Sequence, residues 1–337
     1  MKVGVLFGTP HHWNLKFDRA MIDYIRASMP IDCKDTKIFL NLQNPDVFSS
    51  GWLRYYLDGC KKMEVWINPA NGLLEIKGSV SYFIQGHNFS FSKHQFFEAI
   101  KHIGNLLHLP LWEALIEEFE FGVVICDVAY KPSDYIAHHY SPTSEHLTKE
   151  EKAKDNGNFA WWAGKAEKLK MYDAGKNIMM KQGLHLQDII ADCGWNPAGQ
   201  YLKWEVHYIK PELLNNGRAI RIKNLCNADW YATFKEDCYI QYKRLIPMKS
   251  IIMPTNKKDL TTPDIMALAF LEDGMHREEL KKLLYAKVNS ISDDILSKSD
   301  KDARKRQIKK LIDKLEDEPQ SKWDLSAEIA KALSADV

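Results

Sequence analysis

Residues 199–209 read GQYLKWEVHYI, and the alternation in that run constrains the backbone more tightly than anything else in the chain. Leu202, Trp204, Val206 and Tyr208 fall on one set of alternate positions, and Lys203, Glu205 and His207 on the other. A period of two belongs to a β-strand, whose successive side chains point to opposite faces. The apolar set is the face expected to be buried. A carboxylate and an imidazole side by side on the other face make half of a divalent-metal site, although a solvated strand face carries the same pattern.

A chain of 337 residues has room for one large domain and a smaller one. Apolar residues make up 45% and charged residues 27%, which is the profile of a globular protein with an ordinary core. The net charge of +1 means that any nucleic-acid footprint has to be local. The six cysteines are scattered without a Cys-x-x-Cys pair, so they read as reduced thiols in a cytoplasmic protein. No apolar run approaches the ~20 residues of a membrane span, and the N-terminal patch is too weak for a signal peptide. No membrane partner is expected.

Met21–Pro30 and Lys37–Leu42 read as strands. Lys61–Ile67 and Leu73–Val80 flank Asn68-Pro69-Ala70-Asn71-Gly72, a hairpin signal. Ser81–Ile84 continues the extended run into the polar turn Gln85-Gly86-His87-Asn88. Ser92 and Gln95 form a capping box ahead of a helical apolar stripe, and Pro110 opens a second helix to about Glu118. Phe121–Tyr130 is strand, 131–157 a long polar loop, and Phe159–Ala163 with Ala166–Tyr172 a strand pair. A short helix at 184–193 precedes the Glu205 strand, and Ala228–Leu245 is an amphipathic helix. Beyond the proline-punctuated stretch 247–262 the chain is helical and charged. Its basic run from Lys298 to Lys314 suits phosphate contact, or equally a solvated helix paired to Asp300, Asp302 and Asp313.

Three further positions invite chemistry. Asp127 sits in FGVVICDVAY with Val123, Ile125 and Ala129 on its strand face, where an unpaired carboxylate costs several kcal/mol. It therefore wants a cation, unless it caps a neighbouring loop at the strand end. Tyr172 shares a face with Lys168 and Lys170, and Lys176 follows one helical turn later. Nearby cations would lower the phenol pKa from its usual ~10 and make its oxygen a usable nucleophile. The Gln85, His87 and Asn88 side chains around Gly86 suit a backbone that closely approaches a phosphate or metal, or an ordinary tight turn. The adjacent histidine pairs His11-His12 and His138-His139 suit a shared metal poorly.

Taken together, several stretches resemble the replication initiators of filamentous phages (the gene II protein family), distant members of the HUH rolling-circle endonucleases. The resemblance runs through Glu75–Ser79 into Ile84-Gln85-Gly86-His87-Asn88-Phe89, through Met21-Ile22-Asp23 to Pro30, and through Leu109–Trp112 to Asp127. It continues in Lys170-Met171-Tyr172-Asp173 and Lys203-Trp204-Glu205, covering about residues 21–215 in the family's order. The chain departs from the pattern at Ile125, where the family has a basic residue, at Ala174, where it has lysine, and at His207, where it has arginine.

The resemblance implies an α+β fold: an antiparallel sheet of about five strands carrying the site, helices packed on one face, and a helical C-terminal region. It divides the chain into an extension (1–20), a nicking and joining domain (21–250) and a helical accessory region (251–337). It further implies nicking and rejoining of single-stranded DNA at a phage or plasmid replication origin. Tyr172 would attack phosphorus to give a 5′-phosphotyrosyl intermediate, assisted by Lys176 or Lys170. Asp127, Glu205 and His207 would hold Mg²⁺ or Mn²⁺. Gln85, His87, Asn88, Lys168 and Lys203 would contact the DNA, and a host helicase and polymerase would act with it. The alternatives are a DNA-binding replication module without catalysis and a metal-dependent nuclease that uses water.

Overall fold

The computed structural model describes residues 20–151, 156–182, 186–192, 194–196, 198–248, 262–272, 277–314 and 321–334. The strands are β1 (Ala20–Pro30), β2 (Asp46–Val47), β3 (Leu53–Tyr56), β4 (Met63–Asn68), β5 (Leu73–Ser79) and β6 (Leu115–Cys126). They continue with β7 (His139–Tyr140), β8 (Thr148–Glu151), β9 (Phe159–Ala163), β10 (Glu167–Asp173), β11 (Tyr201–Tyr208) and β12 (Ile246–Pro247). The helices are α1 (Val80–Gln85), α2 (Lys93–Leu107), α3 (Pro132–Ala137), α4 (Ala174–Gln182), α5 (Leu186–Asp192), α6 (Ile222–Leu225) and α7 (Ala228–Lys243). After them come α8 (Thr262–Glu272), α9 (Arg277–Asn289), α10 (Lys298–Lys314) and α11 (Ser326–Ser334).

Ten of the strands form a single antiparallel sheet in the order β2-β3-β4-β5-β1-β6-β11-β10-β9-β8. The α+β class holds, but the sheet is twice the expected width. The expectation of about five strands missed the two-residue β2, the edge strand β8 inside the 131–157 loop, and β3. A two-residue strand is too short to show a period.

Three local expectations fail, two of them through side-chain capping. Lys37–Leu42 is not a strand: Asp35 accepts from the Lys37 amide and starts a 3-10 turn over Thr36–Phe39. Ser81–Ile84 is helical because Ser79 accepts from the Tyr82 amide and Gly86, at φ 80°, closes the turn as its left-handed cap. The helix at Pro110 stops at Glu113, and Leu115 begins β6. The capping box of Ser92 and Gln95 forms and opens α2.

The apolar face of the central strands is the floor of the main core. Trp204 on β11 donates from Nε1 to the Cys238 carbonyl of α7 at 3.1 Å, and Phe119 and Phe121 of β6 pack on Phe234 and Tyr231. Helix α11 returns from the C-terminal region to this core through Leu325, Ile329 and Leu333, and the Leu325 amide donates to the Tyr242 hydroxyl. Helices α8, α9 and α10 instead share a small core of Ala267, Leu280 and Ile312. The stretch read as one accessory region thus has two structural parts. The basic helix α10 pairs Lys305 with Asp302, while Lys301 reaches Asp293.

The opposite sheet face is not left to water. Both faces of β11 are buried, with Lys203 fully enclosed and Glu205 2% exposed. Helix α1 and the following turn lie against this second face, since Ser81 and Asn88 both bond Asp23 there. Helical cover is therefore not confined to one face.

Candidate functional site

Strand register builds the site. Tyr172 stands opposite Lys203, Lys170 opposite Glu205 and Lys168 opposite His207, while His207 also faces Glu120 across β6. Cross-strand partners share a face, so these side chains project together. Two backbone features complete the cluster. The β1–β6 register shifts between Ile22 and Ile25, a bulge that brings Asp23 in beside Lys203. Gly122 stands opposite Glu205, and a Cβ there would lie 2.6 Å from the Glu205 Cγ and against the Trp204 carbonyl oxygen. Only glycine leaves room for the carboxylate at that crossing.

The centre of the cluster is three carboxylates. Asp23, Glu120 and Glu205 each offer an oxygen, and those oxygens lie within 4.8 Å of one another. Lys203 Nζ sits between two of them, 3.2 Å from Asp23 and 2.7 Å from Glu205, and also donates to the Asn88 carbonyl. Lys170 pairs with Glu120, and His207 reaches Glu118 at 2.9 Å and Glu120 at 3.2 Å. Asp23 accepts from Ser79, Ser81 and the Asn88 amide, and that amide lies 3.3 Å from the Tyr172 hydroxyl. Glu205 Oε1 is buried and, the Lys203 ion contact aside, has no hydrogen-bond partner.

Burial and mutual repulsion push these acids in different directions. Burial raises Glu205, and Glu120 and Asp23 add to the rise although Lys203 opposes it. Burial would raise Asp23 as well, but Lys203 and the serine hydroxyls outweigh it and hold that carboxyl low. Glu120 ends well below the usual carboxylate range because Lys170 and His207 overcome its burial. Tyr172 is pushed well above 10 by burial and then by Glu205, Asp23 and Glu120. That reverses the expectation of a phenol activated by lysines. The Lys203 ammonium lies 5.9 Å from the ring centre, but the carboxylates dominate the field at the hydroxyl.

Among the expected metal ligands, only Glu205 is in the triad. Asp127 follows the end of β6 with φ 55°, is exposed, and packs its carboxylate against Gly199. Gly122 is the residue opposite Glu205, so Asp127 stands five residues further along, about 16 Å at strand rise. The cation it was expected to need has no cause, because the strand ends before it and water solvates it. His207 lies at the cluster's edge with both ring nitrogens turned to glutamates.

Of the two candidate lysines, Lys170 joins the cluster. Lys176 is exposed and bonded to Asn158 at 2.7 Å, away from the carboxylates. Gln85 spends its amide on the Ser90 and His87 carbonyls, so with His87 it shapes the turn that delivers Asn88. Lys203, expected on DNA, is enclosed at the triad, and Lys168 stays half-buried on the sheet face.

Asp23 and Glu120 were missed. Asp23 lies in AMIDYIRAS and carries the very signal used for Asp127, an acid among apolar strand residues. Glu120 was hidden by Glu117 and Glu118, which make that end of β6 look like a solvated edge.

Three carboxylate oxygens so placed could hold a metal ion. The donor set is all oxygen, the type that hard divalent cations prefer. Counting the triad with Lys170 and Lys203 leaves one uncompensated negative charge, and Glu205 Oε1 has only the Lys203 ammonium as a partner. The five described cysteines are free, Cys193 and His11-His12 lie outside the described residues, and no described helix is long and apolar enough to cross a membrane. Comparison with protein-family models, with curated proteins and with solved structures gives no match for this chain.

Proposed function

We propose that the chain is a rolling-circle replication initiator that nicks and rejoins single-stranded DNA through Tyr172, with Mg²⁺ or Mn²⁺ at Asp23, Glu120 and Glu205. The observation that carries this reading is the shared placement of a tyrosine hydroxyl and an all-oxygen acidic triad, linked through the Asn88 amide. Burial and the neighbouring carboxylates raise the Tyr172 phenol well above its usual 10, so a nucleophilic role is served by a cation that offsets those carboxylates.

Asp23, Glu120 and Glu205 would hold the divalent ion, which would supply positive charge to offset the negative charge building on the scissile phosphate. The chain's own groups do the rest. The Tyr172 oxygen attacks phosphorus and its proton passes to a neighbouring carboxylate, while the P–O3′ bond breaks and the leaving 3′ oxygen takes a proton from water at the solvent side of the cluster to become a 3′-hydroxyl. Glu205, the triad acid shifted upward, is the member suited to carry that proton. Asn88 is the phenol's hydrogen-bond partner, so an incoming phosphate takes its place. Lys170 and His207 border the cluster where it meets solvent, with side chains 18% and 14% exposed, which makes theirs the entry side. The bond energy stays in the phosphotyrosyl ester, so the reverse attack by a 3′-hydroxyl reseals the strand. Origin DNA in the cytoplasm, a helicase and a polymerase are the partners this chemistry calls for.

A second reading, a DNA-binding module without catalysis, is favoured by one observation. Lys203 already bridges Asp23 and Glu205, as a resident cation would. Incubation with a labelled pool of single-stranded oligonucleotides and Mn²⁺ separates the two. The proposal expects a detergent-resistant adduct that disappears in Tyr172→Phe. An undiminished adduct in that variant refutes the assignment, and cleavage without adduct points to a water-using nuclease.

A further inference from the structure

The sheet face beside Tyr172 continues onto β9, where register puts Phe159 opposite Tyr172, Trp161 opposite Lys170 and Ala163 opposite Lys168. The Phe159 ring centre is 5.6 Å from that of Tyr172 and 5.4 Å from that of Trp161. Both rings keep part of their surface in solvent, as does Lys168. Two offsets along the strand and one strand step place Trp161 about 8 Å from Tyr172, backbone to backbone.

Lys168 differs from the other cations of this face. Lys170 is paired with Glu120, Lys203 with Asp23 and Glu205, and Arg26 with Glu75 and Glu118. Lys168 has no anionic partner among the described residues, and its neighbours in register are Ala163 and His207. One carboxylate, Glu150 of β8, stands across from Trp161, and it is exposed. A half-buried ammonium with no described anionic partner, on the same sheet face as two aromatic rings and one register pair along from Trp161, is complementary to an anion carrying a flat, apolar group. A nucleotide of a single strand has both: every base offers a π-face, and every linkage a phosphate.

We infer that Phe159, Trp161 and Lys168 form a nucleotide subsite, in which a base of single-stranded DNA stacks on Trp161, Phe159, standing edge-on at 61°, walls that ring, and the nucleotide's phosphate meets Lys168. The subsite rests on the reading of Tyr172 as nucleophile only in making the bound strand a substrate. Its direction across the sheet is set by continuity: the strand leaves Tyr172 over β10 towards β9. Alanine at Trp161 removes the stacking surface while leaving the triad untouched.

The experiment is binding of a labelled oligothymidylate, followed by fluorescence anisotropy with chelator present so that no chemistry occurs. Trp161→Ala is expected to weaken binding about tenfold, within the range typical of one lost base stack. Trp161→Phe, which keeps a ring and guards against a folding artefact, is expected to stay within about threefold of the wild type. Lys168→Ala is expected to lower the slope of log affinity against log salt by about 0.7, the loss of one phosphate contact to a single strand. An abasic polymer should bind wild type and Trp161→Ala alike.

Unchanged affinity in Trp161→Ala, or equal sensitivity with the abasic polymer, overturns the subsite. The two readings fail separately. If Tyr172 adducts form while Trp161→Ala binds normally, the subsite falls alone. If no divalent ion yields adducts but Trp161→Ala loses affinity for bases, the nicking reading falls and the subsite stands as a binding site.

Discussion

Lys203 offers the sharpest perturbation of the cluster. Its ammonium is enclosed, lies 2.7 Å from Glu205 and 3.2 Å from Asp23, and is held further above its usual pKa by those two acids despite its burial. Lys203→Met keeps the stem volume and removes the charge, leaving two buried carboxylates without their shared partner. Breaking a buried pair in this way costs about 3–5 kcal/mol, because the remaining charge cannot be re-solvated. For a domain of this size that is a fall in Tm of roughly 10 °C. The assay is urea unfolding of the metal-free protein at neutral pH, with Lys203→Met, Glu205→Gln and the double variant completing a cycle. The double variant should be more stable than Lys203→Met alone, since Gln at 205 removes one of the stranded charges. A loss below about 1 kcal/mol would be the behaviour of a solvated ion pair and would refute the burial on which the site argument depends.

Three other outcomes follow from the same geometry. Because Glu205 has a folded pKa above its ordinary 4.5, its contribution to stability is complete below that value and is lost as pH rises through the folded one. The Glu205→Gln variant should therefore gain on the wild type between acid and neutral pH, and parallel unfolding curves across that range would contradict it. Gly122→Ala should cost about 1–3 kcal/mol by overpacking against the Trp204 carbonyl and should abolish Mn²⁺ binding, read by calorimetry; a normal binding isotherm would show that Glu205 needs no such room. His139, enclosed between Tyr135 and Tyr242, is pushed down to about 4 from 6.5 by burial, so its stabilisation is present above 6.5 and lost as pH falls through that window. Replacing it with Phe should flatten the acid limb of stability between those values, and an unchanged limb would place the acid-sensitive group elsewhere.

The strands that carry the site were legible because their side chains alternate. The period-two runs at β10 and β11 gave the correct face for Tyr172, Lys170, Glu205 and Lys203 before any register was known. Which strands lie side by side was not legible, since pairing depends on contacts far apart in sequence. Asp23 and Glu120 therefore could not be gathered with Glu205: β1 was recognisable as a strand, but β6 was read as strand only from Phe121, with its first residues taken for helix and Glu120 left in neither. Asp127 drew attention because the strand was read on to Tyr130, four residues too far. The run ends at Cys126, and the left-handed backbone at Asp127 turns the carboxylate into water. The short elements at Asp35 and Ser79 were lost to capping, a side-chain bond that outweighs β-propensity over four to six residues.

On the proposed reading, Asp23, Glu120 and Glu205, and not Asp127, form the divalent-ion site beside Tyr172. Mn²⁺ affinity measured by electron paramagnetic resonance tests it most directly, comparing Asp23→Asn and Asp127→Asn with the unaltered chain. Asp127→Asn should bind like the unaltered chain, whereas Asp23→Asn should lose at least about tenfold in affinity, the ~1.4 kcal/mol scale of a single weakened ligand. Loss of Mn²⁺ in Asp127→Asn with retention in Asp23→Asn would contradict it.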